Sequence, residues 1–311
     1  QDLHALESSR IHLPNGWSLT PAGSSLPLGD LPLNIAVSST RRLAAVTNNG
    51  QSTQTIQLID ARYDKALDQV EIHRAWGGIA FSKDEKYLYA SGGNDNCILQ
   101  YALLNNKLTI KDTIRLGEAY PKAAISPTGI ALDDKQHRMY VATKENNSLY
   151  VIDLRNKHIL QRLPLSAEAY TCLLSPDKKE LYISLWGGDK VMVYNTARKT
   201  LTDSIAVGDN PNDLCISRNG SYLYVANAND NTVSMIDLKA RKVMETLNAA
   251  LYPTRLSGST SNALALSDDD RTLYIANADN NCLAVFDVSK PGSSLSKGFI
   301  PTGWYPTAVR M

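Results

Sequence analysis

Few residues in this sequence carry reactive chemistry, and they are unevenly spread. Of the five histidines, His4, His12, His73, His137 and His158, one stands in the run Glu71-Ile72-His73-Arg74-Ala75-Trp76. An imidazole works as a general base only when a neighbour holds its ring and tautomer. Arg74 is adjacent, and the repeat register described below puts Glu168 on the same side, so His73, Arg74 and Glu168 form the one hydrolytic set worth testing. An arginine among aromatic side chains suits a different chemistry, the binding of an anionic or sugar-like molecule by charge-assisted bonds and stacking. The sequence has no Gly-X-Ser-X-Gly elbow, no His-Glu-X-X-His pair and no phosphate-cradling glycine loop ahead of a helix.

Clusters such as Asn94-Asp95-Asn96 and Asn229-Asp230-Asn231 offer the oxygen ligands that calcium takes. None forms an ordered Asp-X-Asp-X-Asp-Gly loop, and Asn and Asp also bond their own turns and tolerate left-handed backbone. The expectation is turn formation, with no metal site and no cofactor. The four cysteines, Cys97, Cys172, Cys215 and Cys282, lie in or beside apolar strands with no Cys-X-X-Cys pair. Cys172 and Cys215 fall one register step apart and so face opposite ways, which predicts free thiols acting as small hydrophobes.

The elements that would position these residues recur. Residues 208–237 hold three short apolar runs, Leu214–Ile216, Tyr222–Ala226 and Thr232–Ile236, bounded by Asn, Asp, Gly or Ser. Consecutive strands of an antiparallel meander read this way. A Leu-Tyr-Val-Ala landmark returns around Tyr89, Tyr140, Tyr182, Tyr224 and Tyr274. Leu43-Ala44-Ala45-Val46 is a sixth copy in which Ala44 takes the place of the tyrosine. This period, with four strands per unit, predicts an all-β chain of β-propeller blades, because one such sheet cannot bury both its faces alone.

The segment Gly303–Met311 aligns with Gly208–Ile216 and begins a seventh copy. At the other end Ser25–Pro32 aligns with Ser204–Pro211, and Ile11–Leu13 and Trp17–Leu19 flank an Asn15-Gly16 turn. The expectation is a seven-bladed β-propeller with four-stranded antiparallel blades, in a single domain over residues 1–311. Residues 1–32 supply the N-terminal segment and closing strands, 33–302 six full blades, and 303–311 the first strand of a last blade shared between the termini, which removes a sheet edge.

Strand counting then assigns loops to the two ends of each blade. Turns between the first and second strands, among them Lys83–Lys86 and Asp268–Arg271, are short and solvated. Turns between the second and third strands lie at the other end, with the crossings from one blade into the next. Both long insertions, residues 118–126 and 248–260, fall there, as do Trp76, Trp186 and Trp304. Loops with both length and large aromatics are where binding concentrates. The predicted ligand- or partner-binding surface is Arg74, Trp76, Tyr170, Trp186, Asn212, Asn262, Trp304 and Tyr305.

A formal net charge of +1, from 32 basic and 31 acidic residues, argues against nucleic acid or an anionic membrane as the main partner. No apolar run approaches the length of a transmembrane helix. A chain starting at Gln1 is what processing on export would leave, so a periplasmic or extracellular location with the signal peptide removed is expected.

The strands Leu223–Asn227 and Leu273–Asn277 resemble those of YVTN-type, WD40-like β-propellers, and the resemblance covers nearly the whole chain. Asn15-Gly16-Trp17, Ser91–Asn96 and Thr302–Val309 are similar to stretches of YncE-like propellers from bacterial exported proteins. Such propellers are often joined to a C-terminal alkaline-phosphatase-like phosphoesterase domain, whose metal ligands are absent from this sequence. The resemblance implies a secreted, surface-layer-like bacterial propeller acting as a non-catalytic scaffold that binds a small ligand, a companion phosphoesterase domain or a partner protein. The alternative is a lactonase-like hydrolase of the propeller phosphogluconolactonase type, using His73, Arg74 and Glu168. An electron-transfer or amine-dehydrogenase-type subunit is disfavoured, for want of a haem or quinone attachment motif.

Overall fold

A computed structural model describes residues 10–13, 16, 18–252 and 258–311. Within them the chain forms six four-stranded sheets and one two-stranded hairpin. Blade one comprises Pro32–Val37, Leu43–Asn48, Thr55–Asp60 and Lys65–Glu71. Blade two comprises Ile79–Phe81, Tyr87–Ser91, Cys97–Leu104 and Lys107–Arg115. Blade three follows with Pro127–Asp133, Arg138–Thr143, Ser148–Asp153 and Ile159–Pro164. Blade four has Ala169–Leu174, Glu180–Leu185, Lys190–Asn195 and Thr200–Ala206. Blade five has Pro211–Ile216, Tyr222–Asn227, Thr232–Asp237 and Lys242–Asn248. Blade six has Ser261–Leu266, Thr272–Asn277, Cys282–Asp287 and Leu295–Pro301. In every blade the strands lie side by side in chain order, and they are called a to d below.

The chain divides into two compact units. Leu26–Ser204, with Arg310, holds blades one to four except the last two residues of blade four's strand d. Ile205–Val309 holds blades five and six.

Strand b explains the landmark repeat. In blade three Met139 and Val141 pack with Tyr89, Ile98 and Ile114 of blade two, while Tyr140 and Ala142 pack with Cys172, Leu181 and Ile183 of blade four. The strand is therefore buried on both faces, and its sequence is continuously apolar rather than alternating. In the other unit Tyr224 and Ala226 of blade five pack against Leu264, Leu273 and Ile275 of blade six. The blades meet so closely that a side-chain carbon on Gly129 would lie 2.6 Å from both Thr171 Cα and Cys172 N. Burial pushes the phenols of Tyr89 and Tyr140 up to about 12, because a phenolate in that setting would lose its hydration. All four cysteines are free, and burial pushes the Cys172 thiol up to about 12.

The a–b turns close themselves. Ser82, Ser175, Ser217 and Ser267 each donate a hydroxyl hydrogen bond, to Asp84, Asp177, Asn219 and Asp269 respectively, over 2.6–2.8 Å. The same hydroxyls accept from the backbone N–H of Tyr87, Glu180, Tyr222 and Thr272, the residue five positions on. A left-handed residue, Glu85, Lys178, Gly220 or Asp270, completes each turn. A Ser-X-Asp/Asn turn is thus a local solution that any blade can repeat.

Two expectations are corrected. The described residues form six four-stranded sheets, not seven. Ile11–His12 and Ser18–Leu19 pair with each other, Ser25–Leu28 forms no strand, and residues 303–311 form no ladder. A segment forms a ladder only against a strand that pairs with it, and no described N-terminal segment pairs with residues 303–311. Trp17 and the Asn15 side of the expected N-terminal turn lie outside the described residues, as does part of the crossing into blade six. The second correction is one of register. Ser38 anchors Leu43 as Ser217 anchors Tyr222, so Ala45, fully buried and paired with Leu58, stands where Tyr224 stands, and Ala44 faces the other way. A slip of one residue exchanges the two faces of a strand.

Candidate functional site

The opposite ends of the blades are built from b–c turns and crossings, and carboxamides hold the two together. In blades one, two, five and six the residue just before strand c is a carboxamide that reaches the crossing leaving its own blade. In blade two Asn96 has no exposed surface, and its Nδ2 donates to Glu118 O (2.6 Å) and Ala123 O (2.7 Å). Its Oδ1 accepts from the N–H groups of Ile125 (3.3 Å) and Ser126 (2.9 Å). In blade one Gln54 Oε1 accepts from Ala75 N at 2.6 Å. In blade five Asn231 Oδ1 accepts from Ser259 and Thr260, and in blade six Asn281 Oδ1 accepts from Tyr305 N at 2.8 Å. These carboxamides satisfy backbone groups that the crossing would otherwise bury without partners. Among the described residues no group of three or more His, Cys, Asp or Glu side chains is arranged to hold a metal ion.

Two crossings and three b–c turns in the first unit enclose a cleft of about 230 Å³. Asn49 and Gln54 come from the b–c loop of blade one, Arg74 and Trp76 from the crossing into blade two, Asn94 from the turn of blade two, and Lys144 from that of blade three. The blade-one loop has two residues more than its counterparts in blades three to six, and Asp30 pins it by accepting from Gln51 N (2.7 Å) and Ser52 N (3.2 Å). The Lys144 ammonium lies 5.4 Å from the centre of the Trp186 ring, within cation–π range. Arg74 Nε is 3.5 Å from Asp95 Oδ1, and among the described residues its terminal nitrogens form no ion pair.

Beside this cleft His73 Nδ1 is 2.7 Å from Asp95 Oδ2. An ionised carboxylate can only accept, so this contact leaves the hydrogen on Nδ1 and the lone pair of a neutral imidazole on Nε2. Three quarters of the His73 side chain is open to solvent (77%). Glu168 lies instead against Gly187 in the b–c turn of blade four, with no hydrogen bond or ion pair to His73 or Arg74.

Of the predicted surface, Arg74 and Trp76 line the cleft, and Trp186 and Tyr170, both about a third exposed, belong to blade four. Asn212 is buried, and its Nδ2 donates to Asn262 Oδ1 at 2.7 Å. Asn262 Nδ2 in turn donates to Thr307 O at 3.3 Å. Those two side chains therefore tie neighbouring inner segments side to side. Trp304 is the most exposed tryptophan of the described residues, and Tyr305 follows it in a left-handed conformation like that of Asn210. Lys144 escaped the sequence reading. The signal that would have found it is register: it is the first residue after strand b, the position that Trp186 fills in the next blade.

Comparisons with known proteins agree with this architecture. The model of the lactonase, 7-bladed beta-propeller family matches residues 166–306, and that of the SMP-30/gluconolactonase/LRE-like region matches residues 43–187. The chain is a β-propeller with four-stranded antiparallel blades. Antigen Lp49 of Leptospira interrogans is 26% identical over 58% of this chain and 42% of its own length. YncE of Salmonella typhimurium is 30% identical over 48% of this chain and 40% of its own length. The chain thus spans about two fifths of the length of these curated relatives. Among solved structures, a candidate 6-phosphogluconolactonase from Bacteroides uniformis superposes with a TM-score of 0.72. It covers 94% of this chain and 90% of that one at 12% identity, a likeness of fold alone.

Proposed function

We propose that this chain is a non-catalytic binding propeller of an exported protein, engaging a small anionic or sugar-like ligand or a companion domain with the ends of its blades that carry b–c turns and crossings. A phosphoesterase-type domain, of the kind often joined to YncE-like propellers, is one such companion. The observation that carries this reading is the cleft where Arg74 and Lys144 stand beside Trp76, with Trp186 next to Lys144. Cationic and aromatic anchors dominate recognition energetics. The test is hydrogen exchange on the chain with small anions and sugars that raise its melting temperature. Protection is expected at residues 72–77, 92–96 and 144–147. Protection concentrated at Lys83–Lys86 or Asp268–Arg271 would overturn the reading.

A lactonase-like hydrolase is the second reading, supported by the two family models and by the His73–Asp95 pair. In that mechanism His73 Nε2 takes a proton from the water that adds to the lactone carbonyl. The ring C–O bond then breaks to a carboxylic acid and an alkoxide, which takes the proton back from His73, and the acid loses its own proton to solvent. Arg74 holds negative charge on the substrate, and Glu168 must move to take part. Hydrolysis of δ-gluconolactone that disappears in His73→Ala would put this reading in place of the first.

A further inference from the structure

We propose that the cleft at blades one to three is a dicarboxylate site, taking a short carbon chain with a carboxylate at each end. The proposal rests on the binding-module reading and names the ligand class for its principal cleft. It is carried by which polar atoms of the lining are already committed. Gln54 Oε1 accepts from Ala75 N, which leaves the Nε2 donors of that carboxamide for the cleft. Arg74 touches Asp95 through Nε and keeps both terminal nitrogens, so Arg74 and Gln54 make one cation-plus-amide donor set.

A second set of the same composition comes from the next blades. Ser126 Oγ donates to Asn94 Oδ1 at 2.7 Å, which leaves Asn94 Nδ2 as a donor. Lys144 N donates to Ser126 O at 3.0 Å, which roots the lysine beside that amide. Both sets line the one cleft, and in both the amide oxygens are spent. A carboxylate only accepts, so it matches each set without setting donor against donor, and it makes charge-assisted bonds to the Lys144 ammonium and to the terminal nitrogens of Arg74, whose Nε already faces Asp95. A neutral polyol brings donors of its own and no charge.

Size and shape point the same way. A cleft of about 230 Å³ has room for a small molecule of the size of a four-carbon dicarboxylate. Trp76 offers an apolar face for the carbon chain, and Glu145, the one carboxylate of the lining, opposes a third negative group.

The experiment is titration calorimetry on the chain at low ionic strength with succinate, inorganic phosphate and glucose. Succinate is expected to bind with one site, about ten-fold or more tighter than phosphate, which can engage only one donor set, and glucose is expected to give no signal. Arg74→Gln and Lys144→Gln, each checked for an unchanged melting temperature, should each weaken succinate about ten-fold or more. Lys178→Ala, in an a–b turn, should bind as the parent does. Succinate binding no tighter than phosphate or glucose, or an unaltered affinity in either glutamine variant, overturns the proposal. If succinate fails while another anion protects residues 72–77 and 144–147 from exchange, the ligand class falls and the binding-module reading stands. If no ligand protects these residues, both fall.

Discussion

The first residue of the b–c turn separates two regions of this molecule. In blades three and four it is Lys144 and Trp186, which stand out of the blade end and touch each other. In blades five and six it is Ala228 and Ala278, both buried. The backbone does not distinguish blade three from blades five and six. Lys144 N donates to Ser126 O, Ala228 N to Asn210 O and Ala278 N to Thr260 O, all at 3.0–3.1 Å. Each acceptor residue sits in the left-handed conformation that ends a crossing. In these blades closure of the turn is a main-chain matter, and in blades five and six the carboxamide before strand c reinforces it. The side chain at this position has no part in closure, so it can carry recognition in one region and be reduced to a methyl group in the other.

That contrast can be broken, and the largest effect should come from the carboxamide. Asn96→Ala removes four hydrogen bonds from a side chain with no exposed surface and leaves buried backbone groups without partners. Urea unfolding should show a loss of about 3 kcal/mol. A loss below about 0.5 kcal/mol would mean that the crossing does not depend on its clasp. Next in size is Ala278→Trp, which forces the Trp186 side chain type into a site with no exposed surface. Overpacking should cost about 2 kcal/mol in the same measurement, and a neutral result would erase the difference between the two regions.

The binding side of the comparison is sharpened by Trp186→Ala. If its ring and Lys144 act together as an anchor, a ligand identified by exchange protection should bind about 2 kcal/mol more weakly, while the melting temperature stays put. An unchanged affinity would confine recognition to the cleft lining, Arg74, Trp76 and Lys144 among it. The smallest effect is the most discriminating. Lys144→Ala makes blade three resemble blades five and six, and its stability should change by less than about 0.5 kcal/mol. A larger loss by chemical denaturation would show that the lysine has a structural duty after all.

Much of the framework was legible in the sequence for a local reason. Strand b is covered on both faces, so its apolar run around Tyr140 or Tyr224 is continuous, and Ser-X-Asp turns close over six consecutive residues. Such patterns need no distant partner, and they alone determined the four-stranded blades, the turn chemistry and the blade end that holds Arg74 and Trp76. The free thiols followed from strand register in the same way.

What required the tertiary structure depends on atoms far apart in the chain. Composition cannot say which end of a carboxamide is spent: Asn94 meets Ser126, and Asn96 meets a crossing that ends 30 residues further on. Lys144 joins Arg74 only because neighbouring blades bring their turns to one cleft. The same holds for the count of six sheets, since whether residues 303–311 become a strand is decided by the partner they find beside them. Strand propensity is written along the chain, whereas pairing and the direction of each donor are set by what lies across from it.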